Sequence, residues 1–244
     1  TDTAGNRDWQ RAMRDIAEGD GDFLPLGDRH WAFFAEEQPR LLVTFEDAGA
    51  LRERPGNLPE RLAQACERGW SLLTILAEGP TWWRDPAVFR YFDRLADDGF
   101  LEAFDRVVFY GAGTAGYAAA AYSIAAPGAE LVLVSPRATA DPALTGWDRR
   151  QRGARRLDFR GCYGFAPDLT ESAARVWLIH DPLHPSDAMH AALFHRPWVT
   201  PLRARHTGEG TEDTLAELNM LEPILEAAMA GSLSEALFAR LWRG

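Results

Sequence analysis

The stretch RVVFYGAGTAGYAAAAY, residues 106–122, decides the fold of this chain. It opens with a short apolar run, Val107 to Tyr110, of the kind that forms a buried parallel strand. Glycines follow at positions 111, 113 and 116, where the absence of a Cβ permits a tight turn or a close approach of helix and strand. Alanines continue as a small-residue helix, and ELVLVS at 130–135 reads as the next strand. The stretch therefore predicts a strand–helix–strand unit with a right-handed crossover.

The glycine turn has two interpretations. Read as Gly111-x-Gly113-x-x-Gly116, it is a GxGxxG that binds a pyrophosphate at a helix N-terminus and predicts an NAD(P)-dependent oxidoreductase. Arg137, after the second strand, would then accept the 2′-phosphate of NADP. Read as Gly111-x-Gly113-x-Ala115, the turn stands where a nucleophile elbow carries G-x-S-x-G. In that register the nucleophile position is Gly113, which has no side chain to attack with.

Later residues favour the elbow interpretation. Two or three strands precede the glycine turn, whereas a dinucleotide-binding domain normally begins with its glycine strand. Asp181 directly follows an apolar strand at 176–180, and His206 follows another at 198–203. Nucleophile, acid and histidine succeed one another in this order in hydrolases that use such an elbow. His206 is thus the candidate base, and Asp181 the candidate carboxylate that fixes its tautomer.

The chain resembles a degenerate member of the α/β-hydrolase superfamily, in particular a small bacterial group whose elbow reads YGSSMGGYAA. Tyr110 and Gly111, then the GYAA of residues 116–119, match that motif, and residues 112–115 depart from it. The resemblance implies a three-layer α/β/α fold with a mostly parallel sheet. It implies one domain over residues 1–244, with residues 137–170 as a small cap or lid. Since the departure removes the nucleophile at Gly113, it leaves open whether the protein is an enzyme.

A ligand site is expected even without a nucleophile. The N–H groups at the start of the helix attract anions or acyl oxygens. Thr114 is also a candidate displaced nucleophile, although a β-branched residue suits a strained turn poorly. The residues expected to hold a small, anionic ligand are Gly111, Thr114, Ala115, Gly116, Trp82, Trp83, Arg149 and Arg156. The alternatives are that the two tryptophans form a hydrophobic plug and that the arginine-rich segment, residues 149–160, is a solvated surface.

Composition narrows the function classes. The net charge of −10 argues against nucleic acid as a partner, and all 26 basic residues are arginine, which excludes lysine chemistry. Two cysteines and the lack of a long apolar run or signal peptide favour a cytoplasmic protein without a membrane segment. His184, His190 and His195 with Asp187 lack regular metal-ligand spacing, so no metal is expected. No cofactor is expected either, except NADP under the GxGxxG alternative.

Three function hypotheses follow: a non-catalytic binding module with the hydrolase fold, an active hydrolase or acyltransferase using histidine-activated water or an unusual nucleophile, and an NAD(P)-binding oxidoreductase. The sequence also predicts a hairpin from the extended runs at 30–35 and 40–45 that leads into the sheet.

Overall fold

A computed structural model describes residues 9, 11, 13, 21–54, 56–150 and 152–243. Within them, eight strands form one sheet in the order β1-β2-β4-β3-β5-β6-β7-β8. The strands are β1 (Gly21–Pro25), β2 (His30–Ala35), β3 (Arg40–Asp47), β4 (Ser71–Ala77), β5 (Arg106–Ala112), β6 (Glu130–Val134), β7 (Arg175–His180) and β8 (Val199–Arg203). Strands β3 to β8 run parallel, and β2 pairs antiparallel with both β1 and β4.

Helices cover both faces of the sheet, so the central strands are buried on both sides. Every residue of β4 and β6 is buried. One face, through Phe109 and Leu131, packs against the helices that flank the glycine turn. The other, through Val108 and Val132, packs against the C-terminal helices. The alternation follows the two-residue period of a strand. The predicted three-layer α/β/α fold is confirmed.

The helices of the described residues are short. They are α1 (Ala48–Glu53), α2 (Leu62–Arg68), α3 (Pro86–Asp97), α4 (Gly113–Tyr122), α5 (Pro142–Thr145), α6 (Pro185–Leu193), α7 (Thr211–Glu217), α8 (Leu221–Met229) and α9 (Glu235–Leu241). Over this part of the chain, none has the length and apolar character needed to cross a membrane. The segment between β6 and β7, where a cap was expected, holds α5 and two 3-10 turns, Arg152–Arg156 and Ala166–Thr170.

The predicted hairpin of residues 30–35 and 40–45 is wrong. β2 and β3 do not pair, since β4 lies between them. The connection 36–39 instead carries the chain past β4, so that β3 joins the parallel part of the sheet. Burial fits this placement, since Leu41, Leu42 and Val43 are fully buried at the centre of the sheet, whereas β2 ends half-buried at Phe34 and Ala35.

Candidate functional site

The turn between β5 and α4 has the geometry of an elbow. Gly113, the first residue of α4, has a φ of +55°, a left-handed conformation that favours glycine. A Cβ on Gly111 would lie 2.3 Å from the Ala115 carbonyl oxygen, so helix and strand meet too closely for a larger residue. By contrast, a Cβ on Gly113 would meet no heavy atom of the described chain within 4 Å. Position 113, the nucleophile position of the elbow interpretation, therefore adjoins open space.

We use the name elbow cleft for a cavity of about 270 Å³ that opens beside Gly113. Its walls are Ala112, Gly113, Thr114, Val134, Ser135, Arg137, Glu209, Gly210, Glu212 and Asp213. The residue before α4, Ala112, supplies no side-chain cap, so the first N–H groups of the helix are left for other partners. Three carboxylates and one guanidinium line the cavity. Its lining is therefore more acidic than the anion-binding interpretation predicts.

Of the carboxylates in the elbow cleft, Glu212 is the most constrained. Its Oε1 accepts a hydrogen bond from the Tyr110 hydroxyl at the end of β5. Burial raises the pKa of Glu212, and the hydrogen bond from Tyr110 acts in the opposite direction. Burial and the nearby Glu212 together raise the pKa of Tyr110 well above its usual value, so the phenol stays protonated and keeps donating. This pair joins α7 to the elbow strand.

Asp181 and His206 lie near each other, but the Asp181 carboxylate is hydrogen-bonded to backbone N–H groups and not to the His206 imidazole. Asp181 is 2% exposed, and its carboxylate accepts from the N–H groups of Leu183 and Gly208 at 2.9 Å each. Burial by itself would raise the pKa of Asp181, but these backbone donors, the backbone N–H of His206 and the charge of the His206 ring lower it. His206 is exposed and has a φ of +69°. The hydrogen bonds of the described residues include none between the His206 imidazole and Asp181.

The other expected ligand residues lie in different places. Trp82 and Trp83 are 3% and 5% exposed, within the apolar core. The Trp83 indole donates to the Ile75 carbonyl at 2.8 Å, and the Trp82 ring packs edge-on against Tyr117 and Phe159. These contacts are those of a hydrophobic plug. Arg149 and Arg156 are exposed on the surface, whereas Gly111, Thr114, Ala115 and Gly116 form the elbow itself.

A buried charge network beside the elbow cleft was missed by sequence reasoning. Its centre is Asp187, which is fully buried and whose Oδ1 accepts from Arg137 at 2.5 Å and from Arg150 at 2.7 Å. Arg150 also holds both carboxylate oxygens of Asp148. His190 then lies 2.9 Å from Asp148 through Nε2 and accepts the Ala138 N–H at Nδ1. The Ala138 bond requires a bare Nδ1, so Nε2 carries the proton and donates to Asp148.

This network also touches the elbow. The backbone N–H of Arg137 donates to the Gly113 carbonyl at 3.0 Å, which fixes the turn from the side of β6. The Arg137 side chain is engaged by Asp187, as described, so the guanidinium proposed for a 2′-phosphate of NADP is already paired. In the described residues, no group of three or more histidine, cysteine, aspartate or glutamate side chains is placed to hold a metal ion.

The imidazole of His184 lies near the Glu209 wall of the elbow cleft. His184 Nδ1 lies 3.3 Å from Asp187 Oδ2, and its Nε2 lies 3.6 Å from Glu209 Oε1. Asp187 Oδ2 itself has no hydrogen-bond partner among the described residues. The only sequence signal for this pair was the three-residue spacing of 184 and 187, which places both side chains on one side of a helix start.

Comparison with solved structures places the fold. A putative thioesterase from Silicibacter sp. is 15% identical, with 98% of this chain and 93% of that chain covered and a TM-score of 0.51. Est1E from Butyrivibrio proteoclasticus is 10% identical, with 87% and 100% covered and a TM-score of 0.52. The capsule O-acetyltransferase of Neisseria meningitidis serogroup A is 8% identical, with 86% and 98% covered and a TM-score of 0.54. No family model and no curated protein sequence matches the chain.

These neighbours and the strand order agree on the α/β-hydrolase fold. The order is not the 3-2-1-4-5-6 of a dinucleotide-binding domain, which the GxGxxG interpretation required. At such low identities the likeness concerns the fold alone.

Proposed function

We propose that this protein is a non-hydrolytic, ligand-binding member of the α/β-hydrolase fold, with the elbow cleft as its binding site. The observation that carries the proposal is Gly113. The elbow conformation is kept, the space for a side chain is open, and the nucleophile is absent. In addition, the Asp181 carboxylate accepts hydrogen bonds from backbone N–H groups rather than from an imidazole.

The ligand is a small zwitterion. A carboxylate or carbonyl oxygen would lie on the N–H groups that begin α4, beside Arg137. An ammonium group would pair with Glu209 and Asp213, which also line the cleft. A purely anionic ligand, which the helix N-terminus and the arginines predict, would face three carboxylates and only one guanidinium that is already ion-paired.

Leucine and two of its derivatives test this assignment by thermal shift and calorimetry. Leucine carries both charges, N-acetylleucine only the negative one and leucinamide only the positive one. We expect leucine to bind more tightly than either derivative. Glu209→Gln should weaken leucine binding toward the affinity of N-acetylleucine, and the control Glu217→Gln, at an exposed residue that does not line the cleft, should leave it unchanged.

Two results would contradict the proposal. Tighter binding of N-acetylleucine than of leucine would restore an anionic ligand. Equal effects of Glu209→Gln and Glu217→Gln would remove the elbow cleft as the site.

One observation favours a second candidate, hydrolysis by activated water. The buried carboxylate of Asp187 beside His184 Nδ1 resembles an acid that orients a base, and His184 Nε2 faces the cleft wall at Glu209. In this candidate His184, not His206, would accept the proton of water. It predicts ester turnover that His184→Gln abolishes and His206→Ala spares.

A further inference from the structure

A separate pocket of about 220 Å³ lies between α6 and the last two strands. Leu178 and Pro201 are register partners on β7 and β8 and share one face of the sheet. The remaining walls are His180, Ala188, Ala191, Ala192, Phe194, His195 and Val199. Most of this lining is apolar, and Phe194 is fully buried. None of these residues lines the elbow cleft, so the two cavities are distinct.

His180 is the polar group at the buried side of this pocket. It is 8% exposed, and its Nδ1 has no hydrogen-bond partner within the described chain. Burial lowers the pKa of His180, and this effect outweighs the opposing influence of the Leu178 carbonyl and of the Asp187 and Asp181 carboxylates; Arg203 lowers it further. The ring is therefore neutral at pH 7 and offers one N–H donor and one bare nitrogen acceptor.

We propose that this pocket binds a compact, uncharged, largely apolar molecule with one hydroxyl group, of the phenol class, whose hydroxyl pairs with His180. The size fits, since an apolar cavity of about 150 Å³ already accommodates benzene. A hydroxyl both donates and accepts, so it can pair with the neutral ring in either tautomer. The mostly apolar lining disfavours an ion of either sign, because a charged ligand would lose its hydration there.

Fluorine NMR titration tests the proposal with 4-fluorophenol and with fluorobenzene, which lacks the hydroxyl. We expect saturable binding of 4-fluorophenol in the millimolar range, as for a ligand of few atoms. Fluorobenzene should bind about fivefold more weakly, the effect of one net hydrogen bond.

Three variants locate the site. His180→Phe keeps a ring of similar size without nitrogen and should make the two probes bind equally. Ala192→Phe fills the mouth of the pocket from an exposed position on α6 and should abolish binding of both probes. The matched control Ala216→Phe adds the same ring to an exposed position on α7, outside the pocket, and should change neither affinity.

The proposal is overturned if 4-fluorophenol shows no saturable binding, if Ala192→Phe binds it as the wild type does, or if His180→Phe keeps the preference for the phenol. Because Ala192→Phe leaves the buried ring in place, a failure of His180→Phe to fold does not remove the test. None of these outcomes depends on the elbow cleft.

Discussion

Removal of the Asp187 carboxylate should destabilise the protein more than any surface substitution. Asp187 is fully buried, and its Oδ1 holds the guanidinium groups of Arg137 and Arg150, which are themselves only 12% and 18% exposed. In Asp187→Ala the two guanidiniums would lose the carboxylate that they share. Arg150 would keep Asp148, but Arg137 would lose its ion-pair partner among the described residues.

The expected loss follows from this burial. Breaking a buried ion pair costs about 3–5 kcal/mol, and because both arginines are partly exposed we take the lower end, about 3 kcal/mol. For a chain of this length that corresponds to a fall in Tm of roughly 6–12 °C. The matched control is Asp168→Ala, which removes a carboxylate that is 67% exposed and bonded to Arg196 at 2.6 Å. An exposed pair contributes at most about 1 kcal/mol.

Urea unfolding of both variants measures the difference, and its pH dependence gives a second check. Burial by itself would raise the pKa of Asp187, but the Arg150 and Arg137 guanidiniums lower it. A carboxyl whose folded pKa is depressed stabilises the folded state above its unfolded pKa of about 3.9. The gap between wild type and Asp187→Ala should therefore shrink as the pH falls below about 4. A loss in Asp187→Ala no larger than in Asp168→Ala, or a gap independent of pH, would refute the reasoning.

Two further predictions concern the elbow and the charge network. Gly111→Ala should destabilise the fold far more than Gly113→Ala, because a Cβ at position 111 would lie 2.3 Å from the Ala115 carbonyl oxygen. A Cβ at position 113 meets no atom within 4 Å, so Gly113→Ala costs only the strain of a positive φ, about 1–2 kcal/mol. Chemical denaturation of the two variants gives the comparison, and equal losses of stability would contradict the prediction. Burial lowers the pKa of His190 to about 4, below the unfolded value of about 6.5, so its neutral ring stabilises the protein above pH 6.5 and this contribution is lost as the pH falls toward 4. Between pH 7 and pH 4, His190→Gln should accordingly lose about 3 kcal/mol less stability than the wild type, and parallel stability curves would show that the histidine is not the titrating group.

The sequence predicts the parallel strands of this fold well, because each is a short apolar run bounded by turn residues. SLLTILA at 71–77 forms β4 over those residues, and ELVLV forms β6. Pro223 lies in the first turn of α8, which starts at Leu221 after a break that follows α7. Strand pairing was less accessible: the runs at 30–35 and 40–45 are neighbours in sequence, but which strand lies between them depends on contacts with residues 71–77.

The elbow could be read from the sequence because its glycines are close together and each has a steric reason. The charge network could not. Arg137 leaves β6, Asp148 and Arg150 belong to a long connection, and Asp187 and His190 lie on α6, so their meeting is a product of tertiary packing. The arginine-rich segment looked uniform in sequence, yet Arg150 is engaged in the network and Arg149 beside it is exposed. Burial, which decides between these roles, is not encoded in a single residue type.

Ester turnover by the purified wild type, with His184→Gln and His206→Ala beside it, tests the central claim most directly. With no side chain at Gly113 and with Asp181 held by backbone donors, we expect p-nitrophenyl acetate to be hydrolysed by all three proteins at the same slow background rate, without a burst. Turnover by the wild type that either histidine variant removes would contradict the account and identify a working hydrolase.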